Sequence, residues 1–226
     1  MWQRLYEEVG SLGFVPITVA FDSAGVSAAG PWIEAAKSTY PSLVDTGHLV
    51  AGLYGMVNVP TGVWINEEGR IVRPPEAAGA SDGFREMDPR TFKMPDDAMA
   101  SSRATKLAYI EGLKDWAKRG DESPWALSEE EVLRRMQPPS GEHTLAATNF
   151  ALGLHLFESG QATAAKPYFA EAQRLHPENW SYKRQAWALD DPAKAGGPEF
   201  WGAVKALGDT PYYPPIEMPT SEMPTS

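Results

Sequence analysis

The stretch LVAGLYGMVNVPTGVWINEEGRIV, residues 49–72, decides how the N-terminal half is read. Leu49 to Tyr54 makes a turn or two of helix, and Gly55 closes it because glycine accepts the left-handed conformation in which many helices end. Val57-Asn58-Val59-Pro60-Thr61 leads into the apolar run Gly62-Val63-Trp64-Ile65-Asn66. Glu67-Glu68-Gly69-Arg70 is a hairpin turn, and Ile71-Val72-Arg73 is the returning strand. Pro74-Pro75, which cannot donate to a ladder, is expected to end it.

Working outward, residues 2–10 form an amphipathic helix with Trp2, Leu5, Tyr6 and Val9 on one face. The run FVPITVAF, Phe14 to Phe21, has the length and β-branched content of a buried strand in a parallel sheet. Pro31 is placed at the first turn of a helix carrying Trp32, where its missing N–H costs nothing. Ser42 to Asp45 is a second short strand. Residues 74–96 read as a connecting loop. A long helix follows from about Asp97 to Arg119 on a stripe of Leu107, Ile110 and Leu113. Ser128 opens a capping-box helix through Met136. After the Pro138 to Gly141 break, two helices flank Gly160 between Thr144 and His176, and two more cover residues 180–189 and 198–207. The repeat EMPTS, residues 217–221 and 222–226, closes a tail from residue 209 that is expected to be disordered.

The chain has no cysteine, so none of its 226 residues can form a thiolate or disulfide. Its net charge of −10 argues against nucleic acid and against an anionic membrane surface. No apolar run reaches the roughly 20 residues a membrane span needs. With neither signal layout nor disulfides, the expected compartment is the cytoplasm. His48, His143, His155 and His176 are scattered and none pairs with another at helical metal spacing, so no metal ligands and no cofactor are assigned. His48 precedes a helix and is expected to cap it or pair with Asp45. Of the eight tryptophans, Trp32, Trp64, Trp116 and Trp187 are assigned to the core. Trp2, Trp125, Trp180 and Trp201 are assigned to an interface.

The order of helix, Tyr54-Gly55, Val59-Pro60-Thr61, apolar strand and Glu68-Gly69-Arg70-Ile71 resembles the second half of the TlpA/ResA-type thioredoxin-like family, over residues 1–75. Asn66 stands where that family usually has an acidic residue. The resemblance implies a cis bond at Val59-Pro60 and a peptide-contacting edge at Asn58, Val59, Pro60 and Thr61. The alternative is an ordinary trans proline at a strand start. The family's first strand and its W-C-x-x-C motif have no counterpart here. That strand would lie between the strand ending at Phe21 and the one starting at Thr61, so its loss should leave sheet edges unpaired. Farther on, Gly153, Leu156, Ala165, Phe169, Ala172 and Pro177 resemble a tetratricopeptide repeat. A partner groove is expected at Asn149, Leu156, Trp180 and Lys183; the alternative is a helical cap packed on the first domain.

The expected class is therefore α/β then α. An incomplete thioredoxin-like sandwich (1–75) is followed by a loop and helices packing on it (76–139), a helical repeat domain (140–208) and the tail (209–226). The leading functional expectation is a redox-inactive module that binds a protein or peptide. The alternative is a thiol–disulfide or peroxide oxidoreductase whose cysteine or selenocysteine lies upstream of Met1. A third reading is a homodimer that completes its sheet.

Overall fold

The computed structural model describes residues 1–219. In chain order the elements are α1 (Trp2–Val9), β1 (Thr18–Phe21), α2 (Val26–Ala36), β2 (Ser42–Asp45), α3 (Leu49–Tyr54), β3 (Thr61–Ile65), β4 (Ile71–Ala77), α4 (Asp96–Arg119), α5 (Glu129–Arg135), α6 (Gly141–Glu158), α7 (Ala162–Leu175), α8 (Trp180–Asp190) and α9 (Pro198–Ala206). The fold is mixed α/β and mostly helical. Among the described residues the strands form two separate pairs, β1 with β2 in parallel and β3 with β4 antiparallel. None of the described helices is long and apolar enough to cross a membrane. The chain divides into two compact units that interleave along the sequence. One holds residues 1–7, 15–59 and 137–209; the other holds 8–14, 60–136 and the segment from 210. The helices after residue 137 thus group with β1 and β2 instead of forming a body of their own.

In the first unit, β1 is shorter than the apolar run suggested, covering Thr18 to Phe21. Helix α2 begins at Val26, so Pro31 lies within it and not at its first turn. A proline there forfeits one intrahelical bond. Trp32, expected in the core, is 80% exposed, whereas Trp180, expected at an interface, is buried. The helical core is built by α6 and α7 around Ala146, Phe150, Leu154, Ala165, Phe169, Ala172 and Leu175, with Tyr182 from α8. Small residues let the two helices approach. A Cβ on Gly153 would lie 2.7 Å from the Phe169 ring, closer than carbon atoms pack. Ser140 caps α6 by accepting from His143 N–H at 3.0 Å, and Asn179 caps α8 by accepting from Tyr182 N–H at 3.0 Å.

In the second unit, β4 runs to Ala77, past the proline pair that was expected to stop it. The register moves from Gly62 opposite Glu76 to Trp64 opposite Arg73, an irregularity that takes up Pro74 and Pro75. Bulges are where a strand can lose ladder donors without ending. The core is aromatic. Trp64 stacks on Trp116 at 5.2 Å and on Trp125 at 6.1 Å, and its indole N–H donates to Tyr109 Oη at 2.8 Å. Gly112 of α4 makes room for Trp125, since a Cβ there would lie 2.5 Å from the indole. Arg73, only 1% exposed, lies among these rings. Ser128 caps α5 as expected.

The segment following residue 209 is packed, not disordered, through its described part. Tyr212 and Ile216 are buried, and the Asp82 carboxylate accepts from Tyr212 N–H at 2.9 Å and Tyr213 N–H at 2.6 Å. Arg73 donates to Glu217 O at 2.7 Å. The composition of the whole tail hid the apolar side chains that anchor its first half. Residues 220–226, where that expectation also fell, lie outside the described residues.

Candidate functional site

In the two-stranded β1–β2 sheet each strand has an outer edge that no described strand pairs with, and at that of β1 a side chain takes a partner's place. Thr18 N–H donates to Pro41 O at 3.0 Å, and the register sets Thr18 against Ser42 and Ala20 against Val44. A parallel ladder then turns the main-chain groups of Thr18 and Ala20 toward β2 and those of Val19 and Phe21 outward. Among the described residues no strand pairs with that outer edge. Instead Gln185 of α8 reaches it. Its Nε2 donates to Phe21 O at 3.0 Å, and its Oε1 accepts from Ser23 N–H at 3.0 Å. One residue of a neighbouring parallel strand bonds in the same way to two groups two positions apart. The Gln185 carboxamide therefore stands in for one peptide of a missing strand.

The side chains follow the alternation of the pleat. Thr18 and Ser42 share the polar face and bond through their hydroxyls at 2.9 Å. Ile17, Val19 and Leu43 share the other face. Ile17 is 61% exposed and Leu43 52% exposed. An apolar face beside an open parallel edge is unusual, because parallel sheets are normally covered on both sides.

At the C-terminal end of the same two strands, His48 is 5% exposed and has a left-handed backbone with φ 55°. Its ring lies 5.8 Å from Phe21 and 5.1 Å from Phe150. Nε2 sits 3.3 Å from Ser23 Oγ, and Nδ1 has no hydrogen-bond partner among the described residues. The helix cap expected of His48 is supplied by Asp45, whose carboxylate accepts from Leu49 N–H at 2.9 Å and Val50 N–H at 2.8 Å. A nucleophile–base pair needs a third group orienting the base, and here the nearby carboxylate is engaged with backbone. The Ser23–His48 contact ties the end of β1 to the residue before α3.

Burial holds the His48 pKa below the ordinary imidazole value, against the opposing charges of Asp45 and Asp22. The unfolded chain then binds a proton more readily than the folded one. Stability is fully present above the unfolded value of about 6.5 and is lost as pH falls through the lower folded value. His48→Gln should flatten the fall in urea midpoint between pH 7 and pH 5. An unchanged slope would show that His48 does not titrate this way.

The remaining site residues read from the sequence are dispersed. Asn58 is buried with Oδ1 accepting from Val59 N–H at 2.9 Å, so its side chain is turned inward. Asn58 and Val59 close one segment of the first unit, while Pro60 and Thr61 open one of the second. Pro60 O accepts from Ala78 N–H at 3.1 Å, and Thr61 is paired with Ala77. Of the expected groove residues, Trp180 and Lys183 meet each other. Trp180 is buried 6.2 Å from the Phe200 ring, and Leu156 packs on the helical core. Asn149 donates to Leu145 O at 2.9 Å within its own helix. Lys183 donates to Pro177 O and lies 4.6 Å from the Trp180 ring. Gln185 was missed because nothing local marks it. His143 and His176 have no helical metal spacing between them in the sequence, yet their rings stack at 3.8 Å. No family model matches the chain, and no curated protein or solved structure is significantly similar to it.

Proposed function

We propose that the chain is a thioredoxin-like, redox-inactive binding module that takes up an extended segment of a partner protein as a strand along the outer edge of β1. The observation that carries this reading is the pair of bonds from Gln185 to Phe21 O and Ser23 N–H, a side-chain amide filling one strand position. Strand addition draws affinity from main-chain bonds and specificity from alternate side chains. The exposed Ile17 and Leu43 favour apolar residues at alternate positions of the segment. The thioredoxin-like element of the reading is supported by the parallel β1–β2 pair followed by the β3–β4 hairpin. The repeat-like element is supported by α6 and α7 meeting through Gly153, Ala165 and Ala172.

The test is titration with a synthetic peptide of about six alternating valine and threonine residues, the length of an ordinary strand, followed by amide NMR. Val19, Phe21 and Ser23 amides should shift, and N-methylation of alternate peptide residues should abolish binding. Gln185→Ala frees two edge groups and should tighten binding about tenfold, each net bond contributing about 0.5–1.5 kcal/mol. Equal binding of the N-methylated peptide would overturn the reading. So would a concentration-dependent dimer in light scattering that protects the Val19 amide without peptide, which would make a second copy the occupant.

A further inference from the structure

The antiparallel pairing of α6 and α7 sets the start of one helix beside the end of the other. His143 is in the first turn of α6, held by the Ser140 cap. His176 is the residue at which α7 ends, and Glu178 lies in the turn before α8. The two imidazoles are parallel to within 4°, with centroids 3.8 Å apart. Glu178 Oε1 is 3.3 Å from His143 Nε2 and 3.6 Å from His176 Nε2. One donor atom from each residue lies within 4.8 Å of the other two, with both histidines half-buried and the glutamate exposed. Ions can therefore reach the cluster from solvent.

The two distances from Glu178 Oε1 to the histidine nitrogens are close to those around a small tetrahedral ion. With donors at about 2.0–2.1 Å from the metal, the edge between two ligand atoms of a tetrahedron is about 3.3 Å. Two imidazole nitrogens and a carboxylate suit zinc and its neighbours, not magnesium or calcium, which prefer all-oxygen shells. Metal binding needs neutral imidazole.

We propose that His143 Nε2, His176 Nε2 and Glu178 Oε1 form a site for a divalent transition-metal ion of the zinc type, with a further coordination position left to solvent. The ion ties the start of α6 to the end of α7 and to the turn before α8. Each nitrogen lone pair lies in its ring plane, so binding by both rings turns them out of the parallel stack.

The experiment is calorimetric titration of chelator-treated full-length protein with zinc chloride, and separately with cobalt chloride read by its visible absorption. One equivalent should bind, cobalt should give the intense bands of a tetrahedral centre, and the ring signals of His143 and His176 should move in NMR spectra. His143→Ala, His176→Ala and Glu178→Gln should each weaken binding on the order of a hundredfold, at or beyond the upper end of the loss seen for groups that merely support a ligand. Glu178→Gln keeps the stacked rings, so it tests the site even if the histidine variants unfold. Zinc should also raise the thermal midpoint of the parent protein but not of Glu178→Gln. Absence of saturable binding, or zinc affinity unchanged in Glu178→Gln, would overturn the proposal and leave the cluster as a pair of stacked rings beside a carboxylate.

Discussion

Replacing Arg73 by alanine should destabilise the second unit by about 3–5 kcal/mol, the range for breaking a buried ion pair by removing one partner. The guanidinium is almost completely buried and makes several contacts at once. It pairs with Glu76 through Nε, donates from Nη1 to Trp125 O at 3.0 Å, and donates from Nη2 to Glu217 O at 2.7 Å. Its carbon lies 5.4 Å from the Trp64 ring centroid and 5.1 Å from that of Trp125. Alanine would leave a carboxylate and two carbonyl oxygens without that donor and open a cavity among the indoles. Urea unfolding followed by tryptophan fluorescence measures the loss. The pH dependence identifies the cause. Burial raises the Glu76 pKa, while the hydrogen bond and charge of Arg73 pull it down. Without Arg73 the folded pKa climbs further above the ordinary value. A raised carboxyl pKa contributes stability below the unfolded value, which is lost as pH rises through the folded one. The variant's deficit should therefore be smallest near pH 4.5 and grow toward neutrality. The double variant Arg73→Met, Glu76→Leu should recover much of the loss, because apolar replacement of a buried pair is often neutral. A deficit independent of pH, with no recovery in the double variant, would assign the effect to lost packing alone.

What the sequence made legible is what local chemistry dictates. The turn at Gly69 and the apolar runs beside it specified the β3–β4 hairpin, and Ser128 specified the start of α5. Local rules failed where tertiary structure supplied what the segment lacked. Pro74 and Pro75 stay in β4 because the opposite strand accommodates an irregular register. The tail follows its own low complexity only until Asp82, Arg85 and Arg73 are considered, each holding part of residues 210–217 from far upstream. Trp32 is an apolar residue in an apolar run, yet on α2 it is largely exposed. The candidate sites were the least legible. Gln185 meets β1 across more than half the chain, and His143 meets His176 only because α6 and α7 fold back on each other. Neither proximity leaves a periodicity or a spacing for a linear reading to find.

Phe150→Ala should remove about 3–5 kcal/mol from the first unit, the usual cost of truncating a buried phenylalanine. The ring is at the centre of the helical core. It stacks on Tyr182 at 4.3 Å and 20°, and lies 5.6 Å from Phe169 and 5.1 Å from His48. Those partners come from α8, α7 and the residue before α3, so one side chain serves both the helices and the end of the parallel sheet. Overpacking at the neighbouring Gly153 should cost less, about 1–3 kcal/mol for Gly153→Ala, because the Phe169 ring can shift in part. The two variants also differ at His48. Removing the Phe150 ring strips part of the apolar wall that lowers the His48 pKa. In Phe150→Ala the imidazole should then titrate closer to the unfolded value of about 6.5, whereas in Gly153→Ala it should not move. Proton NMR titration of the histidine ring signals distinguishes them. If both variants leave His48 unchanged while stability falls, the helical core and the sheet end are energetically independent, and the Gln185 contact remains as the described hydrogen-bonded link between α8 and the edge of β1.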